Sequence, residues 1–181
     1  MNVAITCRAL TPARWDDLVR LFGPRGACAG CWCMFFRLSS AEFRGGQGDG
    51  NRRRLHALVN AGVPLGVIAY RGRTPVGWCA IAPRADYARL QRSRVMGAVD
   101  DAPVWAATCF FVAREARRQG VARALLEGAA VYAARRGARW MEAYPVDAAG
   151  RQADAFVYHG LAAMFRDPPW REVARRSPTR P

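Results

Sequence analysis

Lysine is absent from the 181-residue sequence, so all 28 basic residues are arginine, and histidine occurs only as His56 and His159. No run approaches 18 uncharged apolar residues, which excludes a membrane-spanning helix from the expected architecture. The opening residues MNVAITCRAL have neither a basic head before an apolar stretch nor a small-residue cleavage site, so they read as the start of a fold. Six cysteines are too few for a disulfide-built scaffold of this length. With no export signal, a reducing, cytoplasmic compartment is expected. Apolar residues make up 51% and charged residues 23%, which is neither a disordered nor a collagen-like profile.

Against 14 acidic residues the arginines leave a net charge of +14. That charge attracts phosphates, nucleic acids or anionic surfaces without choosing among them. The arginines spread over the whole chain, and a composition biased towards Arg and Ala produces the same total. No zinc finger, aromatic RNA-binding signature or basic region with heptads is present, so a nucleic-acid partner is not expected.

Along the chain the pattern is that of one domain over residues 1–181, of α/β class with a mixed sheet and helices on both faces. VAITCRAL reads as a first strand. Thr11-Pro12 opens a helix that puts Trp15, Leu18, Val19 and Phe22 on one face. A loop-like, aromatic and thiol-rich segment follows, then a short helix from Ser40, a flexible GGQGDGN loop and a helix from about Arg52 to Ala61. VPLGVIAYRG and TPVGWCAIAP make an antiparallel hairpin about Arg71-Gly72-Arg73. After an Arg-rich excursion, VWAATCFFVA is a strand and Val121 to Arg136 a helix. ARWMEAYPV is then a strand parallel to its predecessor. A helix from about Ala153 to Arg166 and a last strand in WREVARR complete the reading.

The segment FFVAREARRQGVARALL carries the chemistry. An apolar strand ends at Val112, a basic turn follows, and Gly120 enters a small-residue helix. The first turn of a helix has free N–H groups and a positive dipole end, so it accepts a pyrophosphate. Gly120 removes the side chain where a phosphate would touch backbone, Ala122 keeps the next contact shallow, and Arg117 and Arg118 add charge. The same residues also suit a solvated basic turn before an ordinary helix. The turn is neither a dinucleotide-binding G-x-G-x-x-G nor a phosphate loop ending in G-K-S/T.

Arg117-Arg118-Gln119-Gly120-Val121-Ala122 resembles the Arg/Gln-x-x-Gly-x-Gly/Ala signature of the GNAT N-acetyltransferase superfamily, and the order of elements is similar over nearly the whole chain. The resemblance implies an acetyl-CoA site in a cleft where strand Val104–Val112 splays from strand Arg139–Tyr144. Main-chain groups near Phe110, Phe111 and Val112 would hold pantetheine and the oxyanion. Residues 118–123, which include Val121 and Arg123, would hold the pyrophosphate. The family's usual thiolate-protonating tyrosine falls at Phe165, which has no proton to give, so Tyr158 is the substitute, seven residues earlier on an expected helix face. Strand Val104–Val112 lacks the family's glutamate, which leaves Glu142, Asp147 and His159 as base candidates.

Cys28, Cys31 and Cys33 invite a zinc reading, with His56 or Cys79 as a fourth ligand. There is no second cysteine pair at ligand spacing, so no metal is expected and the thiols pack with Trp32, Met34, Phe35 and Phe36. Cys79 and Cys109 lie in apolar strand-like runs as small hydrophobes. The CWCM-F pattern before Arg37 is similar to that of some uncharacterised superfamily members. By the resemblance, Trp32, Phe35 and Phe36 would wall the acceptor pocket, or plug the core beneath a helix. The expected activity is transfer of an acetyl group from acetyl-CoA to a primary amine of a small molecule or peptide. A non-catalytic acyl-CoA-binding or regulatory module on the same fold remains open. No membrane partner is expected, and the chain is compatible with a homodimer.

Overall fold

The computed structural model describes residues 4–147 and 157–181. Its centre is a five-stranded sheet formed by β1 (Ile5–Ala9), β2 (Gly66–Arg71), β3 (Thr74–Pro83), β4 (Val104–Val112) and β5 (Trp140–Ala143), in that spatial order. Neighbours from β1 to β4 are antiparallel, and β4 and β5 are parallel. The helix α5 (Val121–Ala134) makes the crossover between that parallel pair. The two-residue turn at Gly72 and Arg73 closes the β2–β3 hairpin, with Gly72 at φ 60°.

Side-chain alternation divides the core in two. Ile68, Tyr70, Trp78 and Ala80 face α1 (Trp15–Phe22) and α3 (Asp49–Asn60), where they meet Leu18, Phe22, Leu55 and Val59. Val67, Ala69, Cys79 and Ile81 face α5, where they meet Val121, Leu125, Leu126 and Ala129. Covering both faces explains why β2 and β3 read as nearly continuous apolar runs. Glycine permits close helix–sheet approach: a Cβ at Gly77 would stand 2.8 Å from Val121 Cγ1 and 3.0 Å from Leu125 Cδ1. Among the described residues, no helix is long and apolar enough to cross a membrane.

Several local expectations differ from what is found. Thr11 precedes a 3-10 turn at Pro12–Arg14 without a side-chain cap, and α1 starts only at Trp15. The short helix α2 (Ser40–Gly45) is capped by Ser39 with a reciprocal bond from Glu42. The supposed loop GGQGDGN supplies the start of α3, because Gly48 caps it at φ 84°. The Arg-rich excursion contains a 3-10 turn whose Arg84 is buried and the one-turn helix α4 (Ala88–Gln91), anchored by Tyr87 and Leu90.

The helix expected over 153–166 does not form in its described part, from Val157 on. Gly160 sits at φ 86°, and its carbonyl accepts from the Val146 N–H at 2.9 Å. Ala162 then donates to the Val146 carbonyl, and only a 3-10 turn at Ala162–Phe165 follows. The left-handed glycine and these two bridge bonds displace helical pairing. WREVARR joins no sheet; Arg175 instead pairs with Glu172 and with Asp147, each at 2.8 Å.

Candidate active site

The sheet opens on one side of β4. Its pairing with β5 covers only Val104–Ala107 against Trp140–Ala143, yet β4 continues to Val112. Along that extension the Phe110 N–H donates to the Tyr158 carbonyl at 2.6 Å, on the side facing away from β3. Alternation turns the Val112 N–H towards the same open side and those of Phe111 and Ala113 towards β3; Ala113 donates to Val76 at 3.0 Å. Two expected oxyanion donors are therefore already committed: Phe110 to Tyr158, Phe111 to β3.

A cavity of ≈ 810 Å³ runs from this open edge to the start of α5. Every residue expected to hold the donor lines it except Gln119, whose side chain donates to the Glu115 carbonyl at 2.7 Å. Gly120 caps α5 at φ 78°, and a Cβ placed there would meet nothing within 4 Å. The first intrahelical bond runs from Ala124 N–H to the Gly120 carbonyl at 3.0 Å, so the N–H groups of Val121, Ala122 and Arg123 precede the ladder. The Arg117 Nε donates to the Val112 carbonyl at 3.2 Å, which ties the basic turn to the end of β4. No acidic residue occupies the first turn of α5.

The opposite wall is the cysteine-rich loop, and its backbone is unusual. Ala27, Ala29, Trp32 and Cys33 all have positive φ, between 46° and 69°. The loop is held from outside, since Asn51 Nδ2 donates to the carbonyls of Gly30 and Phe43, each at 3.3 Å. Trp32 does not face the cavity. It is buried in the core, 6.0 Å from Trp15 and 5.6 Å from Phe22 between ring centres. Phe35 and Phe36 do line the cavity, together with Phe43, which packs edge-on against Phe35. Cys28, Cys31, Cys33 and Cys109 line it as well, so Cys109 is not simply a core residue.

Trp78 Nε1 donates to Cys33 Sγ at 3.1 Å. A hydrogen bond with Cys109, and then burial, pushes the Cys33 thiol up; burial above all raises Cys31 to about 12. All six cysteines are free. Among the described residues, no three His, Cys, Asp or Glu side chains converge as a metal site. The involvement of Phe43 and Cys109 had little signal in the sequence, because a short helix and a register shift in β4 bring them to the cavity.

The catalytic candidates separate. Tyr158 lines the cavity, and burial raises its hydroxyl, with Cys109 and Cys31 nearby adding to the shift. It shares no helix face with Phe165, since Gly160 breaks the chain direction between them. His159 lies outside the lining, 1% exposed, with its ring 4.2 Å from that of Tyr158 and 5.4 Å from that of Phe36. Burial, then Arg180, lowers it to about 3, and its Nδ1 has no hydrogen-bond partner. Glu142 is also outside the cavity; its Oε1 accepts from both Arg84 and Tyr144. Arg84 itself is buried and donates further to the Tyr144 hydroxyl at 2.7 Å and the Met96 carbonyl at 2.9 Å. Asp147 is engaged by Arg175.

The acetyltransferase (GNAT) family model matches residues 32–160, well over half of the chain. The chain belongs to that family. No curated protein matches it. Among solved structures, this GNAT member is similar in fold to the aminoglycoside N-acetyltransferase AAC(6')-Iy in complex with the bisubstrate analogue CoA-S-monomethyl-acetylneamine. That match has a TM-score of 0.57 at 17% identity, over 96% of this chain and 98% of the other. It is also similar to the apo aminoglycoside 6'-N-acetyltransferase AAC(6')-IG from Acinetobacter haemolyticus, with a TM-score of 0.52 at 18% identity, over 95% and 94%. At these identities the likeness is one of fold.

Proposed function

We propose that this GNAT family member binds acetyl-CoA along the open edge of β4 and transfers the acetyl group directly to a primary amine of a small molecule or peptide. The observation that carries the reading is a cavity that joins the end of β4 beyond its pairing with β5 to the start of α5, where Gly120 leaves the capping position free of a side chain. Bound acetyl-CoA supplies an activated thioester carbonyl. The N–H groups of Val121, Ala122 and Arg123 hold the pyrophosphate, with charge from Arg117 and Arg118. Val112 offers the next main-chain N–H for the pantetheine arm. Tyr158, a phenol protonated at neutral pH and pushed further up by burial, gives its proton to the departing sulfur. Holding both substrates in one cavity supplies much of the rate through proximity.

One observation favours a second reading, an acyl-CoA-binding module without turnover: Glu142, Asp147 and His159 all lie outside the lining, engaged or buried elsewhere. Calorimetric titration with acetyl-CoA, followed by an amine panel monitored for free CoA, separates the two. Binding with turnover supports the enzyme, binding without turnover the module, and absence of binding overturns both.

A further inference from the structure

Acetyl transfer makes no use of the thiols on the cavity wall. Cys28, Cys31, Cys33 and Cys109 all line it, and the first two share one turn. The Cys31 N–H donates to the Cys28 carbonyl at 2.9 Å, and the residues between them, Ala29 and Gly30, have φ of 46° and 68°. Positive φ at both central places is the type I′ pattern, which alanine adopts only under strain. Neighbouring groups clamp the turn in that shape. Gln47 Nε2 donates to the Ala29 carbonyl at 2.5 Å, while the Gly48 N–H and Asn51 Nδ2 donate to the Gly30 carbonyl at 3.0 and 3.3 Å. A closed β-turn keeps its first and fourth Cα atoms within about 7 Å, and a disulfide spans Cα atoms about 4.4–6.8 Å apart. The clamped turn thus sets Cys28 and Cys31 at the separation a disulfide spans, with both side chains on the same cavity.

Exposure gives the two thiols different roles. Cys28 is exposed, so a molecule in the cavity reaches its sulfur, whereas Cys31 is partly covered. Burial above all pushes Cys31 up to about 12, which holds it as a thiol, while the N–H groups of Cys33 and Phe35 on its sulfur act the other way. We propose that Cys28 and Cys31 form a redox-active dithiol whose substrate is a low-molecular-weight organic disulfide. Cys28 gives its proton to solvent, and its thiolate attacks one sulfur of the disulfide; the other sulfur leaves and takes up a proton. Cys31 then gives up its proton, with the two N–H groups taking up the charge that develops on its sulfur. It attacks the Cys28 sulfur and expels the second small thiol, which is protonated in turn. The protein dithiol is oxidised to one disulfide, and the small disulfide is reduced to two thiols.

The test mixes the purified, fully reduced chain with oxidised glutathione at neutral pH, with no CoA present, so its outcome is separate from that of the donor site. Free thiols are labelled with iodoacetamide; after reduction, the thiols released are labelled with N-ethylmaleimide and located by mass spectrometry. Before reduction the parent is expected to be lighter by about 2 Da, with no glutathione retained, and the second label should fall on Cys28 and Cys31. Cys31→Ser cannot resolve the mixed disulfide and should retain glutathione on Cys28. Cys28→Ser should lose its other thiols roughly tenfold more slowly than the parent loses Cys28. Glutathione retained on Cys28 in the parent, a disulfide in which Cys33 or Cys109 replaces either residue, or thiols that all stay free would overturn the inference.

Discussion

Replacing Gly120 by alanine tests the donor site with a matched control inside the same chain. Gly120 and Gly62 share a left-handed backbone, at φ 78° and 70°, and a Cβ at either meets nothing within 4 Å. Both alanine variants therefore carry the same backbone strain, about 1–2 kcal/mol, and no steric clash. For a chain of this size that lowers Tm by roughly 2–8 °C in each. The variants differ only in what the new methyl faces: Gly62 ends α3 far from the cavity, whereas Gly120 opens on the first turn of α5. Displacing a phosphate from one charge-assisted N–H bond removes about 1.5–3 kcal/mol, or roughly tenfold to more than a hundredfold in Kd. Isothermal titration with CoA should show that loss in Gly120→Ala and none in Gly62→Ala. Gly120→Ala binding CoA like the parent, with a Tm drop equal to that of Gly62→Ala, would refute the assignment. A β-branched residue at 120 is the poorer probe, because the left-handed backbone penalises it beyond any effect on the ligand.

Three further outcomes are expected. His159 is buried neutral with its folded-state value near 3, below the ordinary 6.5, so the unfolded chain binds its proton first. Its stabilisation is complete above pH 6.5 and is lost as pH falls from there towards 3, by up to about 3 kcal/mol before carboxylates titrate. Urea midpoints should fall from pH 6.5 to 4.5 in the parent and fall less in His159→Gln; equal slopes would sink the assignment. Tyr158→Phe should lower kcat roughly tenfold with CoA affinity little changed, and an unchanged kcat with chemistry rate-limiting would leave Tyr158 as a wall residue only. Arg84→Met strands Glu142 and frees the Leu90 and Met96 carbonyls, so it should cost about 3 kcal/mol and lower Tm by at least 6 °C; a drop under about 2 °C would count against a structural role.

What could be read from the sequence was what local chemistry decides. An apolar run, a basic turn, a glycine and a small-residue helix are contiguous, and so the β4–α5 unit was legible with its boundaries nearly correct. The hairpin at Gly72 was legible for the same reason. The segment after Val157 was not, because Leu161, Met164 and Phe165 at helical spacing imitate a helix that Gly160 and the distant Val146 prevent. Trp32 is aromatic and adjacent to the right residues, but a positive φ at 32 turns its ring into the core while Phe35 stays on the cavity. Arg84 was invisible: one arginine among 28 gives no sign that it is the one buried against Glu142 and Tyr144. The commitment of the Phe110 N–H depends on a carbonyl 48 residues away, which no spacing rule reports.

Gly77 touches no cavity residue through a side chain of its own, yet it sets a span. It pairs with Val112 in the sheet and lies directly beneath Val121 and Leu125. A ligand gripped at two points, by the end of β4 and by the first turn of α5, measures the separation between them. That separation is fixed by how deeply the helix seats on a strand position with no side chain. A single methyl at 77 would lift one jaw of this caliper by several tenths of an ångström while leaving every ligand-facing atom chemically intact. The reach of the proposed donor site would thus be calibrated from the neighbouring strand, at a position that a survey of contact residues would pass over.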